Sequence, residues 1–446
     1  MKKVALHNLG CKVNGYEMDV MQQRLKENGY EIVQFDETAD IYIVNTCTVT
    51  NIADQKSRQM LHRAKKQNPD AVVVAAGCYV QTGEGVIDRD PTIDLVVGNN
   101  RKKDIVAILE EYLAAKESSK LSTEDKTLQN RTIIDINHTD EYEEMQLTST
   151  RENTRAYVKI QDGCNQFCSY CIIPYARGRA RSRREEDIMT EVSGIAAQGY
   201  KEIVLTGIHI SSYGIDRGGK ELLQLLKKLN EVKGIERIRL GSLEVGIITE
   251  EFVSGISTLS KICPHFHLSL QSGCDETLRR MNRHYTTREY LEKVDILRKH
   301  YDKPAITTDV IVGFPGETEE EFICTEKFLE KVNFYEMHIF KYSKRQGTRA
   351  AEMENQIPNN IKSMRSNRLI QLSKKMSKEY RQSMLGEKVE VLFEDNKEID
   401  GRNFQLGHTK QYIKVAKETD SDLNNTIMMG TLTDFLTEDI LNFIPG

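Results

Sequence analysis

The chain has 446 residues, 39% hydrophobic and 29% charged, with no Trp and a formal net charge of −5. That length predicts two or three domains, each able to bury a core, while no apolar run approaches the roughly 18 residues of a membrane span. Met1-Lys2-Lys3 leads into a strand-like Val4-Ala5-Leu6 rather than a signal-peptide core, so a cytoplasmic protein off the membrane is expected.

The first hundred residues alternate short apolar strands with amphipathic helices. Val4–Leu9, Ile41–Asn45, Val72–Ala76 and Leu95–Val97 read as buried parallel strands, with helices near Tyr16–Asn28, Ala53–Gln67, Gln81–Arg89 and Lys102–Ala115. Three of the strands run into a cysteine: Leu9-Gly10-Cys11, Asn45-Thr46-Cys47 and Gly77-Cys78. Ligands of open α/β sheets sit beyond the carboxyl ends of the strands, so Cys11, Cys47 and Cys78 are placed to converge on one crevice. Each could instead be a small buried residue capping its strand. Residues 116–150 lose apolar periodicity and fill with Glu, Ser, Thr, Asp and Asn, which predicts a linker between a 1–115 domain and a 151–381 domain, with Thr132–Ile136 as a docked strand.

A second series starts at Ala156–Gln161 and continues with strands at Glu202–Gly207, Arg237–Ser242, His265–Leu270, Ala305–Gly313 and Phe334–Tyr342, each followed by a helical stretch. Six βα units fit a partial barrel whose chemistry lies at the carboxyl mouth. There the first strand delivers Gly163-Cys164-Asn165-Gln166-Phe167-Cys168-Ser169-Tyr170-Cys171, three thiols on one loop with a fourth ligand position unfilled. A structural zinc loop borrowing a distant ligand, or unconnected core thiols, would also account for three cysteines alone. Nine cysteines, six of them in two groups of three, fit metal or cluster ligation in a reducing compartment better than a disulfide framework.

Cys-x3-Cys-x2-Cys with Tyr170 before the last cysteine resembles the cluster loop of radical S-adenosylmethionine (SAM) enzymes. The strand-end triplet, with Leu9-Gly10-Cys11-Lys12-Val13-Asn14, Asn45-Thr46-Cys47-Thr48-Val49-Thr50 and Gly77-Cys78-Tyr79, resembles the methylthiotransferase branch of that superfamily. The resemblance implies two [4Fe-4S] clusters, one held by Cys164, Cys168 and Cys171 with SAM on its open iron, the other by Cys11, Cys47 and Cys78. The strand ends resemble SAM-contacting motifs, which implies cofactor contacts at Tyr170, Gly207, Glu244, Gln271 and Asp309. Implied partners are a macromolecular substrate and a reductant protein of flavodoxin or ferredoxin type; no stable protein partner is evident.

After a basic helix near Asn360–Arg381, residues 382–446 turn to β pattern, with strands expected at Val389–Phe393, Tyr412–Ala416, Thr426–Phe435 and Ile440–Ile444. Their order resembles a TRAM domain, a small antiparallel barrel that in this family contacts the substrate. Yet from Gln382 onward six Lys and Arg face twelve Asp and Glu, so an RNA site must be local basic surface rather than a global field. Candidates are Arg177, Arg179 and Arg181 after the cluster loop, Lys410 and Lys414 in the last domain, and two further groups, Lys56 to Lys66 and Arg279 to Arg283. Gly10–Asn14 and Arg345-Gln346-Gly347-Thr348 most resemble the type that methylthiolates C2 of N6-threonylcarbamoyladenosine beside the tRNA anticodon. Methylthiolation of a ribosomal-protein aspartate or of isopentenyladenosine, or a two-cluster electron-transfer or RNA-binding protein, are the alternatives.

Overall fold

The apolar runs of the first hundred residues line up in a five-stranded, all-parallel sheet of order β2-β1-β3-β4-β5. Its strands are β1 (Lys3–Asn8), β2 (Glu31–Val33), β3 (Ile41–Thr46), β4 (Val72–Gly77) and β5 (Leu95–Val97). The structure, a computed structural model, describes residues 1–83, 90–118, 132–148 and 154–446. Every residue of β3 and β4 is buried, because helices cover both faces, and this is why they read as unbroken apolar runs. The edge strand β2 escaped the sequence reading: three half-exposed residues carry no pattern. Of the helix expected over Gln81–Arg89, the described part is Cys78–Thr82, and residues 84–89 lie outside the described residues.

The expected linker does not hang free where it is described. Met145 and Leu147 are buried in the core of the first sheet, and Tyr16 Oη donates to Met145 O at 2.6 Å. Thr132–Ile136 is docked but forms no strand: Gly98 N donates to Thr132 O, Gln81 Nε2 to Ile134 O, and a 3₁₀ turn takes over at Ile136–His138.

Six parallel strands then make the open barrel: β6 (Arg155–Asp162), β8 (Glu202–Gly207), β9 (Arg237–Leu240), β10 (His265–His267), β11 (Ala305–Val312) and β12 (Glu336–Lys341). The short β7 (Arg181–Ser182) runs antiparallel to β6. Bridges Ile238↔Ile262 and Leu243↔Leu268 join the β9 and β10 regions into one wall. Alternation sorts the side chains. Ala156, Val158 and Ile160 enter the core under the helices, whereas Arg155, Lys159 and Gln161 are buried polar residues on the other face.

The C-terminal segment closes into a five-stranded barrel, β13 (Lys388–Ile399), β14 (Arg402–Thr409), β15 (Lys414–Glu418), β16 (Ile427–Phe435) and β17 (Leu441–Pro445), in the order β13-β14-β15-β17-β16. Two features differ from expectation. Strand β14, polar and interrupted by Gly407, was not predicted, and β15 pairs with β17 in parallel. This acidic barrel docks on the starts of the parallel strands. Glu394 pairs with Arg155, Glu390 with Arg237 at 2.8 Å, and Tyr412 Oη accepts from Arg155 at 2.9 Å. Beneath them Glu202 is buried among Arg155, Arg237 and Arg239. Part of the acidic charge of the last domain is therefore used internally.

Candidate active site built on two cysteine triads

The loop carrying Cys164, Cys168 and Cys171 leaves the carboxyl end of β6 and is held from both sides. Behind it, Cys164 N donates to Gly178 O at 3.0 Å. Gly163 has φ +71°, and a Cβ there would stand 1.8 Å from Arg179 O, so no other residue fits. In front, the turn after residues 275–280 grips the loop: Ser169 N donates to Met281 O at 3.0 Å, Ser169 Oγ to Arg280 O at 2.8 Å, and Asn282 Nδ2 to Phe167 O at 3.0 Å. From the same turn Arg283 Nη1 donates to Cys168 Sγ at 3.2 Å. Burial pushes the Cys164 thiol up to about 11 and Cys171 to about 12, with the neighbouring sulfurs adding to it. Uncoordinated, these thiols stay protonated at neutral pH; a bound metal that displaces the protons also satisfies the buried sulfurs.

Around this loop the predicted cofactor residues take different positions. Tyr170 is half-buried, its ring edge-on to Phe314 at 6.5 Å. Gly207 lies against β6, where a Cβ would come within 2.9 Å of Gln161 O. Glu244 accepts from Gly246 N at 3.0 Å with one oxygen and lies 3.9 Å from Arg283 with the other. Gln271 takes φ +73° and locks onto β11, its N–H donating to Asp309 O at 2.9 Å. Asp309 itself faces His267 at 3.2 Å, in the barrel lumen. His209 Nε2 is buried without a hydrogen-bond partner, close enough to Glu244 and Arg283 to feel both charges. An orphaned ring nitrogen between a carboxylate and a guanidinium suits a zwitterionic ligand such as SAM.

The strand-end cysteines are carried to one edge of the parallel sheet. Asn8 pairs with Asn45 and Thr46 with Gly77, so β1, β3 and β4 end at one edge and hand over to Cys11, Cys47 and Cys78. Cys47 Sγ stands 3.2 Å from where a Cβ on Gly10 would be, which brings the first two cysteine loops together. Asn14 Nδ2 ties them, donating to Leu9 O at 2.8 Å and Thr46 O at 3.0 Å. Asn99 Nδ2 lies 3.5 Å from Cys78 Sγ and 2.7 Å from Ala176 O, just past the other cysteine loop. Burial raises the Cys47 thiol to about 11.

Between the triads lies a buried ion network. Arg177 donates to Glu17 at 2.7 and 3.0 Å, to Asp162 at 3.1 Å and to Asn14 Oδ1 at 2.6 Å, while Lys159 and Lys102 also bond Glu17. Burial opposes charge on Glu17, but the three cations outweigh it and hold the carboxyl well below its usual range. This corrects the RNA-binding expectation for two of the arginines. Arg177 is fully buried in this network; Arg181 is 2% exposed and donates to Arg177 O and Arg179 O, bracing the turn. Neither can reach a phosphate. Arg179 is exposed and lies over the Phe167 ring at 4.4 Å. Lys410 is turned inward, donating to Ser260 O at 3.2 Å, and Lys414 is half-buried on β15. On helix Asn51–Gln67, by contrast, Lys56, Arg58, Arg63 and Lys66 are exposed.

Family comparisons agree with this geometry. Residues 3–98 match the family described as uncharacterized protein family UPF0004, and residues 158–329 match the radical SAM superfamily. The chain is 42% identical over 430 residues to the threonylcarbamoyladenosine tRNA methylthiotransferase MtaB of Bacillus subtilis, covering 96% of this chain and 93% of the relative. The chain belongs to the radical SAM methylthiotransferases, in the MtaB group. A tRNA-2-methylthio-N(6)-dimethylallyladenosine synthase of Caldicellulosiruptor saccharolyticus is more distant, at 37% over 88% of this chain and 83% of its own length. Among solved structures, the radical SAM methyltransferase TsrM from Kitasatospora setae shares the fold, with a TM-score of 0.54 at 16% identity over 76% of this chain and 73% of its own. The cofactors of this methylthiotransferase are [4Fe-4S] clusters and SAM, and the donor sets above, three thiols each, fit that requirement.

The sequence reading missed Arg283, His209, Asn14 and Asn99 as site residues. Arg283 was grouped with Arg279 and Arg280 as an RNA-facing triplet, yet it is the one of the three aimed at a cluster sulfur. Nothing in a run of basic residues distinguishes a buried member; the turn at Met281-Asn282, which reverses the chain toward the loop, decides it.

Proposed function

We propose that this chain methylthiolates C2 of N6-threonylcarbamoyladenosine next to the anticodon of tRNA, in the cytoplasm, with electrons from a flavodoxin- or ferredoxin-type protein. The observation that carries the reading is end-to-end similarity to MtaB, combined with two incomplete cysteine ligand sets on neighbouring loops. Cys164, Cys168 and Cys171 would hold a cluster that, when reduced, supplies the electron for cleavage of SAM, and Cys11, Cys47 and Cys78 would hold a second cluster that supplies sulfur for the methylthio group.

The chain's own residues do the placing. Arg283 sets a fixed positive charge beside Cys168. Tyr170 and Phe314 form an apolar wall behind the loop that keeps water from it. Gly207, Glu244 and His209 would hold SAM along one rim, and Gln271 fixes the neighbouring strand end. Arg177, bonded to Glu17 of one lobe and Asp162 of the other, holds the two triads in register. The exposed basic face at Lys56, Arg58, Arg63 and Lys66, joined by Arg179, takes the tRNA backbone. The 1–115, 151–381 and 382–446 regions act as sulfur-cluster, radical and docking domains.

Nucleoside mass spectrometry of tRNA from cells with and without the gene tests the reading. Loss of the 2-methylthio group from N6-threonylcarbamoyladenosine is the expected result. Loss from dimethylallyladenosine instead, or an unchanged tRNA profile, would overturn it.

A further inference from the structure

On the lumen face of three successive barrel strands, His267, Asp309 and His338 bring one ligand atom each within 4.8 Å of the others. The placement follows from strand register. Asp309 pairs directly with His338 across β11 and β12, and His267 pairs with Thr307, two residues before Asp309 and so on the same face. The alternate residues Phe266, Leu268, Val310 and Met337 go the other way, into the core.

The ring of His267 is oriented for ligation. Its Nδ1 is bonded to Thr307 Oγ1 at 3.0 Å, which leaves Nε2 turned toward Asp309. That Nε2 is buried and lies 3.2 Å from Asp309 Oδ2, yet it has no hydrogen-bond partner. A buried ring nitrogen without a hydrogen-bond partner, beside a carboxylate oxygen and within 4.8 Å of a second imidazole nitrogen, is placed to share a common centre with them. The ring of His338, which is exposed, runs nearly parallel to His267, at 28° and 5.8 Å between centroids, and one of its nitrogens lies within 4.8 Å of the other two ligand atoms. Two imidazoles and one carboxylate, with the remaining positions open, form a donor set for a first-row divalent cation, and the Thr307 hydroxyl on the far nitrogen of His267 takes the supporting place that a carboxylate, carbonyl or water fills at metal-bound histidines.

We propose that His267, Asp309 and His338 form a binding site for a first-row divalent cation, zinc or ferrous iron, in the barrel lumen, separate from both cysteine triads. Its open positions face the lumen, where water or a carboxylate-bearing ligand completes the coordination. The site neither needs nor excludes the tRNA reading above, since it is defined by binding alone.

The test uses the fully reconstituted chain, desalted and titrated anaerobically with Zn²⁺. One zinc per chain beyond the cluster iron is expected, with a Zn K-edge spectrum showing nitrogen and oxygen neighbours and no sulfur. His338→Asn and Asp309→Asn should each weaken binding at least tenfold while leaving the cluster absorbance unchanged. Thr307→Val, which alters only the support of His267, should weaken it by about 10- to 100-fold. Absence of a bound zinc, sulfur in its coordination shell, or full binding by His338→Asn and Asp309→Asn would each refute the site.

Discussion

Replacing Glu17 with Gln tests the claim that the buried network couples the two cysteine triads. The substitution keeps shape and removes one charge from a cluster of Arg177, Lys102, Lys159, Glu17 and Asp162. In the native chain both Glu17 oxygens accept, one from Lys159 and Arg177 at 2.7 Å each, the other from Lys102 and from Arg177 at 3.0 Å. A glutamine oxygen can still serve one side, but its amide then points donors at donors, and two charge-assisted bonds are lost at about 1.5–3 kcal/mol each. The total, about 3–6 kcal/mol, agrees with the cost of breaking a buried ion pair by removing one partner. At about 2–4 °C per kcal/mol for a unit of 150–250 residues, melting should fall by about 6–24 °C. The functional consequence is asymmetric: SAM cleavage to 5′-deoxyadenosine persists, because the loop of Cys164 keeps its grip from Ser169 and Asn282, while transfer to tRNA drops at least tenfold. Differential scanning calorimetry with parallel product assays on the reconstituted enzyme reads both. A melting shift under 2 °C, or equal losses of cleavage and transfer, would refute the coupling.

Cys11→Ala should retain SAM cleavage and abolish methylthio transfer, whereas Cys164→Ala should abolish both; iron analysis should give about eight irons in the wild type and about four in each variant. Combined replacement of Lys56, Arg58, Arg63 and Lys66 by Ala should lower the slope of log Kd for tRNA against log salt by about three, read by filter binding over a salt series. Burial would raise the Glu202 carboxyl, but Arg239, Arg155 and Arg237 outweigh it and hold it at about 2. Its contribution of about 3 kcal/mol is therefore present above pH 4.5 and lost as pH falls toward 2. Glu202→Gln should destabilise the chain at pH 7, with the gap in denaturation midpoint to wild type closing as pH drops through 4 to 3; a constant gap would show that charge is not the cause.

The sequence by itself determined both cysteine sets and the architecture that carries them. Cys164, Cys168 and Cys171 are local, so their spacing puts three thiols on one loop, and the resemblance to radical SAM enzymes implies what they hold. Cys11, Cys47 and Cys78 are far apart, but each follows an apolar run, and parallel strands covered on both faces must end at one edge. Charge was the point at which one-dimensional reading failed. Arg177, Arg181 and Arg283 look like Arg179 in the sequence, since a guanidinium is written the same whether it meets water or a buried carboxylate. Only the tertiary structure supplies Glu17 from 160 residues earlier to bury Arg177, and aims Arg283 at a sulfur 115 residues before it. The same holds for His267, Asp309 and His338, which belong to three different strands and carry no motif. Burial and convergence depend on which elements pack together, and these contacts are long-range, so the electrostatics of the site were decided by the fold.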